Sequence, residues 1–127
     1  IIRYRHYVDV VAGDEDEACF LFGVQSPVTA NQNYGLCFEL FGTDRLSLVE
    51  DAESTDTFGG VSVLASTTVD FTGTHGTGWY EAEIDWQTDN TMDVSLYNPS
   101  GTLIASLSGT STSYTSGGIG FTSWGQH

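Results

Sequence analysis

Residues 79–107 alternate between apolar and polar side chains, and this pattern limits the fold more than any other feature of the chain. In residues 79–86 the apolar side chains share one parity, and they are Tyr80, Ala82, Ile84 and Trp86. The opposite parity holds Trp79, Glu81, Glu83 and Asp85. A period of two residues is typical of a strand with one buried face. Because Met92, Val94 and Leu96 continue the pattern, we predict a three-stranded antiparallel meander with its apolar face on a core.

The second turn of this meander is predicted at Asn98-Pro99-Ser100-Gly101. Asn at the first position, Pro at the second and Gly at the last favour a type I turn, which would pair Tyr97 with Thr102. The same register places three apolar pairs face to face, namely Leu96 with Leu103, Val94 with Ala105 and Met92 with Leu107. A slip of one residue would turn one partner of each pair to solvent, so the register is strongly specified.

The rest of the chain predicts further short strands and an all-β fold. No segment has a sustained apolar period of 3.6 residues, and β-branched and aromatic residues are frequent. The 127 residues suffice for one domain with one core. We therefore expect a single antiparallel β-sandwich of the jelly-roll type over residues 1–127, with about nine strands. The last strand, residues 117–124, is expected to point Ile119 and Phe121 inward and to place Trp124 on the opposite parity.

The charge of the chain restricts its partners and its setting. Seventeen acidic residues face only three basic ones, Arg3, Arg5 and Arg45, which gives a net charge of −14. Such a chain repels nucleic acid phosphates and anionic membranes, and no apolar run is long enough to span a bilayer. Acidic loops are expected at residues 13–17 and 50–56. Since salt screens this self-repulsion, the composition indicates a halophilic source, or alternatively an extracellular domain loaded with divalent cations.

Two cysteines fall opposite each other in a hairpin predicted from residues 18–25 and 33–41. The register that matches aromatic and apolar residues pairs Phe22 with Tyr34, Phe20 with Leu36 and Ala18 with Phe38. On the other face it places Cys19 opposite Cys37, within reach of a disulfide. Such a bond would indicate an oxidising, external compartment. The alternative is a pair of reduced, buried thiols that act as small hydrophobic side chains.

The order of these strands resembles the concanavalin A-like, or laminin G-like, superfamily of β-sandwiches. The segments that carry the resemblance are Ala18 to Gln25, Asn33-Tyr34-Gly35-Leu36-Cys37-Phe38-Glu39-Leu40, Gly78-Trp79-Tyr80-Glu81-Ala82-Glu83-Ile84, Met92 to Tyr97 and Ser116-Gly117-Gly118-Ile119-Gly120-Phe121. The resemblance is closest to the glycan-binding modules of that superfamily. The family usually has an additional strand at each end, so the resemblance implies that missing sequence or a partner chain completes the sandwich.

The superfamily includes the family 16 glycoside hydrolases, whose motif places a nucleophile, a helper and an acid on one strand. Glu83-Ile84-Asp85-Trp86 matches the first half of that motif. The acid should stand at position 87 or 88, where this chain has Gln87 and Thr88. A retaining hydrolase needs two carboxyl groups about 5–5.5 Å apart. Because Gln87 and Thr88 supply no second carboxyl group, we expect no catalytic residue here.

Like charges are predicted to meet on the polar face of the meander. Any plausible hairpin register between residues 79–86 and 92–97 sets Asp93 opposite Glu83 or Asp85. Directly opposed carboxylates destabilise a sheet. Salt screening or a bound calcium ion would offset the repulsion, which makes Glu83, Asp85 and Asp93 the candidate metal ligands.

Three aromatic residues at outward positions are candidate sugar platforms: Trp79, Tyr97 and Trp124. Ordinary packing under loops or against a neighbouring chain is the alternative role for them. We predict a non-catalytic extracellular or surface domain that binds glycan or mediates adhesion in high salt. The alternative is a structural component of a halophilic virion or cell envelope, such as a spike or turret, that forms a homo-oligomer or a larger assembly with neighbouring subunits.

Overall fold

Two antiparallel sheets pack into a β-sandwich, which confirms the predicted all-β class. The computed structural model describes residues 1–10, 16–26, 32–40, 42–52 and 62–125, so most of both predicted acidic loops lies outside the described residues. The strands among the described residues are β1 (Ile2–Val8), β2 (Asp16–Val24), β3 (Tyr34–Leu40), β4 (Arg45–Glu50), β5 (Ser62–Thr68), β6 (Gly78–Trp86), β7 (Thr91–Tyr97), β8 (Leu103–Thr110) and β9 (Gly118–Gly125). A five-residue π-helical turn, Phe71–His75, precedes β6. No helix among the described residues is long and apolar enough to cross a membrane.

The two sheets differ in width, and the core lies between them. One sheet has four strands in the order β1-β6-β7-β8, and the other has five in the order β5-β4-β3-β2-β9. Aromatic side chains fill much of the core, and among them Phe22, Tyr34, Phe38, Phe71 and Tyr80 are almost completely buried. The sheets therefore cohere chiefly through burial of large apolar surface.

Strand β6 has the alternation that its sequence predicts. Tyr80, Ala82 and Ile84 are fully buried, and Trp79 stands 59% exposed on the opposite face. In β7 the buried residues are Met92, Val94 and Leu96, which lie on the same core. The polar face of both strands is therefore the outer surface of the four-stranded sheet.

The predicted pairing of β7 with β8 is wrong by two residues. Observed partners of Met92, Val94 and Leu96 are Gly109, Leu107 and Ala105. The turn is closed between Asn98 and Thr102, and Gly101 adopts a φ of 82° that adds one residue to the loop. The ladder also has an irregularity between Leu96 and Tyr97. Met92, Val94 and Leu96 therefore each pair with a β8 residue two positions further along than predicted, and the partner still lies on the same face of the sheet.

The predicted register of β2 against β3 is confirmed, with Phe22 opposite Tyr34 and Cys19 opposite Cys37. The two cysteines are joined by a disulfide. Both lie buried on the outer face of the five-stranded sheet in a small cluster with Val49 and Ala52. The bond thus ties two central strands of that sheet together on the side away from the main core.

The prediction that Ile119 and Phe121 point inward is confirmed for the face of the sheet, but neither residue is buried. Strand β9 pairs with β2 so that Phe121 lies opposite Phe20 and Ile119 opposite Phe22. This register puts both residues on the core side of the sheet, yet they are 70% and 68% exposed. They are exposed because β9 is the outermost strand of the wider sheet.

Candidate functional site

The outer face of the four-stranded sheet holds a groove of about 600 Å³. Its strand residues come from β1, β6 and β7, and they are Arg3, Arg5, Trp79, Glu81, Glu83 and Tyr97. The turn after β7 adds Asn98, Pro99 and Gly101. Two of the three predicted aromatic platforms, Trp79 and Tyr97, therefore lie in one groove.

Cross-strand ion pairs occupy this groove beside the two aromatic rings. The pairing of β1 with β6 sets Arg3 opposite Glu83 and Arg5 opposite Glu81. Arg3 Nε lies 2.7 Å from Glu83 Oε2, and Arg5 Nε lies 3.5 Å from Glu81 Oε2. The hydrogen bond to Glu83 and its negative charge raise the pKa of Arg3. Two of the three basic residues of an acidic chain thus balance the carboxylates of one groove.

The turn beside the groove is fixed by its own side chain. Asn98 Oδ1 accepts hydrogen bonds from the backbone N–H groups of Ser100 and Thr102, each at 3.0 Å. Pro99 packs so closely on the start of β6 that a Cβ on Gly78 would lie 2.7 Å from Pro99 Cγ. Glycine at position 78 therefore lets the turn approach the strand one residue before Trp79.

Trp79 has a defined aromatic neighbour but remains accessible. Its ring meets Tyr7 edge to face, with centroids 5.2 Å apart and an interplanar angle of 61°. Tyr97 lies across the groove on β7, directly opposite Glu81 in the β6–β7 ladder. An aromatic ring that is held at its edge and open on much of its surface suits stacking on a flat apolar ligand face.

The backbone of Trp124 does not belong to the sheet that forms this groove. It lies on β9 of the five-stranded sheet, opposite Glu17 of β2. Because the groove belongs to the four-stranded sheet, the backbone of Trp124 lies on a different sheet from Trp79 and Tyr97.

The predicted metal ligands are not gathered into one cluster. Asp93 faces Asp85, while Glu83 faces Ser95 on one side and forms its ion pair with Arg3 on the other. Within the described ranges, the one group of three close metal-binding side chains is Glu17, Cys19 and Cys37. The two sulfurs of that group are bonded to each other, so they offer no thiolate to a metal. The described structure gives no three-carboxylate calcium site on β6 and β7.

The opposed carboxylates of Asp85 and Asp93 give the first testable prediction. Replacing Asp93 with Asn should raise the free energy of unfolding by about 0.5 kcal/mol at low salt, since it removes a directly opposed like charge. The new amide oxygen can still accept the hydrogen bond that Gln87 Nε2 now donates to Asp93 Oδ2 at 2.6 Å. Urea unfolding in low and in about 1 M salt measures the effect, which should vanish when the charges are screened.

The matched control is Asp89→Asn, which removes the same charge from the turn of the same hairpin. Asp89 Oδ1 accepts the backbone N–H of Thr91 at 3.0 Å, and that bond lowers the pKa of Asp89. This variant should gain no stability. An equal gain in both variants would mean that net charge alone, and not the Asp85–Asp93 contact, sets the effect.

Sequence reasoning missed the two ion pairs of the groove. The signal was present in the shared parity of Arg3 and Arg5 on β1 and of Glu81 and Glu83 on β6. Pairing them requires a strand contact between residues about 80 positions apart, which no local pattern specifies.

Comparison of the chain with protein-family models, with curated proteins and with solved structures found no match. The function is therefore inferred from the groove and from the chemistry around it.

Proposed function

We propose that this chain is a non-catalytic extracellular module that binds carbohydrate in the groove of Arg3, Arg5, Trp79, Glu81, Glu83 and Tyr97. We further propose that its sandwich is of the concanavalin A-like, jelly-roll kind and that it works in high salt. The observation that carries the proposal is Trp79, which is 59% exposed and shares its groove with Tyr97 and two ion pairs. Large aromatic side chains exposed beside fixed polar groups are typical of ligand sites.

The groove combines the two kinds of contact that a sugar needs. The indole face of Trp79 would pack on the C–H face of a pyranose ring, which is apolar and weakly positive. The carboxylates of Glu81 and Glu83 would accept hydrogen bonds from sugar hydroxyl groups. The guanidinium of Arg5 would donate hydrogen bonds to the oxygen atoms of those hydroxyl groups. Because these groups are already held in cross-strand pairs, little side-chain freedom is lost on binding.

Three further features support the hypothesis of an extracellular, non-catalytic domain. The Cys19–Cys37 disulfide favours an oxidising compartment. Glu83 is engaged by Arg3, and the chain has Gln87 and Thr88 where a hydrolase acid would stand. The net charge of −14 favours a setting in which salt screens self-repulsion.

A glycan array probed at about 1 M salt tests the proposal, because the screened protein is then in its proposed setting. We expect a defined set of bound sugars. For the best of them, Trp79→Ala should weaken binding at least about tenfold in titration calorimetry, as removal of a central aromatic contact does. Trp79→Phe should retain part of the affinity.

The matched control is Phe121→Ala, which removes an aromatic ring that is 70% exposed on the other sheet. It should leave the dissociation constant unchanged. Absence of any bound sugar on the array, or equal losses for Trp79→Ala and Phe121→Ala, would contradict a sugar site in the groove.

A structural role in a virion or cell envelope is the second candidate function. The observation that favours it is the uncovered apolar surface of β9 at the edge of the sandwich. Exposed apolar residues at a sheet edge are typical of contacts with neighbouring subunits. A stable monomer at high protein concentration in high salt would count against this role.

A further inference from the structure

The sandwich has a step one strand wide along one side. Tyr4 of β1 stacks on Phe20 of β2 with ring centroids 4.1 Å apart, which places β1 over β2. Beyond β2 the wider sheet continues with β9, whereas the four-stranded sheet ends at β1. The core side of β9 is therefore not covered by a described strand of the other sheet. Ile119 and Phe121 are exposed because they lie on that uncovered side.

The two strands that border this step lack acidic residues, a property that they share with β5 and β8 at the opposite edge of the sandwich. Strand β1 reads IRYRHYV and strand β9 reads GIGFTSWG, so neither carries an acidic residue. The whole chain has 17 acidic residues. Depletion of charge on a surface that exposes large apolar side chains is typical of the centre of a protein interface.

Strand directions can be read from the contacts across the step. Tyr4 lies at the level of Phe20, and His6 stacks on Phe38, which pairs with Ala18. Along β1 the residue numbers rise as those of β2 fall, so β1 runs antiparallel to β2. Strand β9 is also antiparallel to β2. Strands β1 and β9 therefore run in the same direction on the two sides of the step.

We propose that a second copy of this chain fills the step, with β9 of each copy lying beside β1 of the other. A rotation of 180° about an axis parallel to the strands, set in the plane between the sheets, exchanges the wide sheet with the narrow one. The projecting strand of each copy then occupies the vacant position in its partner's four-stranded sheet. Ile119 and Phe121 of the two copies meet face to face, and both sheets continue through the interface.

This occupant fits the step in shape and in charge. The projection and the recess are each one strand wide, so the surface is complementary to itself, as a two-fold interface requires. Pairing of β9 with β1 is parallel, and mixed sheets of this kind are common. Edge pairing of β1 with β1 of the second copy is disfavoured, because it brings the Arg3 and Arg5 side chains of both copies together. Charge permits this approach, because neither β1 nor β9 carries an acidic residue. Strands β5 and β8 at the opposite edge also lack acidic residues, so the feature that selects this side is the self-complementary step with its exposed Ile119 and Phe121.

Sedimentation velocity over a wide range of protein concentration, in about 0.15 M and about 1 M NaCl, tests the proposal. We expect a monomer–dimer equilibrium whose dimer is favoured by the higher salt. Phe121→Asp should raise the dimer dissociation constant at least about tenfold, because two carboxylates would be buried at the centre of the interface. Ile119→Asp should act in the same way. Both residues are largely exposed in the single chain, so circular dichroism should show that these variants fold.

The matched control is Val63→Asp on β5, at the opposite edge of the same sheet, where the side chain is 52% exposed. It should leave the dimer unchanged. In hydrogen exchange, backbone amides of both β1 and β9 should gain protection as the dimer forms.

Four results would overturn the proposal. The first is a monomer at every concentration in both salts, and the second is a dimer that Val63→Asp weakens as much as Phe121→Asp does. The third is protection confined to β9, which would indicate that β9 pairs edge to edge with β9 of the second copy. The fourth is a longer form of the chain that is monomeric and has β1 and β9 protected, which would mean that a flanking segment fills the step.

Discussion

Removal of the disulfide by the double substitution Cys19→Ala and Cys37→Ala is expected to lower the free energy of unfolding by about 3 kcal/mol. The bond closes a loop with a sequence separation of 18, and its loss returns that loop's freedom to the unfolded chain. Both sulfurs are buried, so the small cluster around Val49 and Ala52 also loses packing. Urea unfolding at fixed high salt measures the change.

Chemical reduction of the unmodified protein separates the two contributions. The reduced protein keeps both sulfur atoms and loses only the covalent link, so its stability should fall between that of the oxidised protein and that of the double variant. Equal stability of the oxidised and reduced forms would contradict a stabilising role for the bond.

Acidification is expected to destabilise the protein through His6 by about 3 kcal/mol between pH 6.5 and pH 4. His6 points into the sandwich, where its ring stacks on Phe38 with centroids 4.3 Å apart. Burial lowers the pKa of His6 from 6.5 to about 4, because the charged imidazolium is poorly solvated there. In this pH window the unfolded chain binds a proton that the folded chain does not bind. Stability is therefore complete above pH 6.5 and is lost as the pH falls towards 4.

The comparison with His6→Phe isolates this effect from the many carboxylates. Phenylalanine keeps an aromatic ring against Phe38 and has no proton to gain. The free energy of unfolding of the native protein minus that of the variant should fall by about 3 kcal/mol from pH 7 to pH 4. The carboxylate titrations are common to both proteins and cancel. A difference that stays constant over this range would show that His6 does not titrate differently in the folded and unfolded chains.

Local sequence patterns predicted the parity of nearly every strand residue but not every register. The match of Phe22 with Tyr34 was sufficient for the β2–β3 ladder, because both strands have apolar residues at every second position. The β7–β8 ladder was missed because Gly101 takes a left-handed conformation and adds a residue to the loop. The longer loop and the irregularity between Leu96 and Tyr97 together displace the ladder by two residues. A displacement of two residues keeps every side chain on its face, so apolar parity alone cannot reveal it.

The burial of a strand residue depends on whether the opposite sheet covers it, and the sequence of the strand alone does not specify that cover. Ile119 and Phe121 have the parity of core residues, and they do face the core side. Their exposure follows from the unequal number of strands in the two sheets, which is a property of the whole topology. The position of Trp79 in the candidate site was predictable from β6, whereas its arginine neighbours depended on the distant pairing of β1 with β6.

The topology also constrains how this protein emerges from the ribosome. Within the part of the chain that the structure describes, β1 pairs in a ladder only with β6, and β2 completes its pairing with β9, which lies about 100 residues further along. A growing chain can form the β2–β3–β4 portion early, but it must hold the apolar face of β1 unpaired until residues 78–86 have been synthesised. Folds dominated by such distant pairings fold slowly, on timescales of milliseconds to seconds. Synthesis of this chain therefore exposes an aromatic strand for many elongation steps, and we expect a chaperone that shields such segments to improve the yield of native protein.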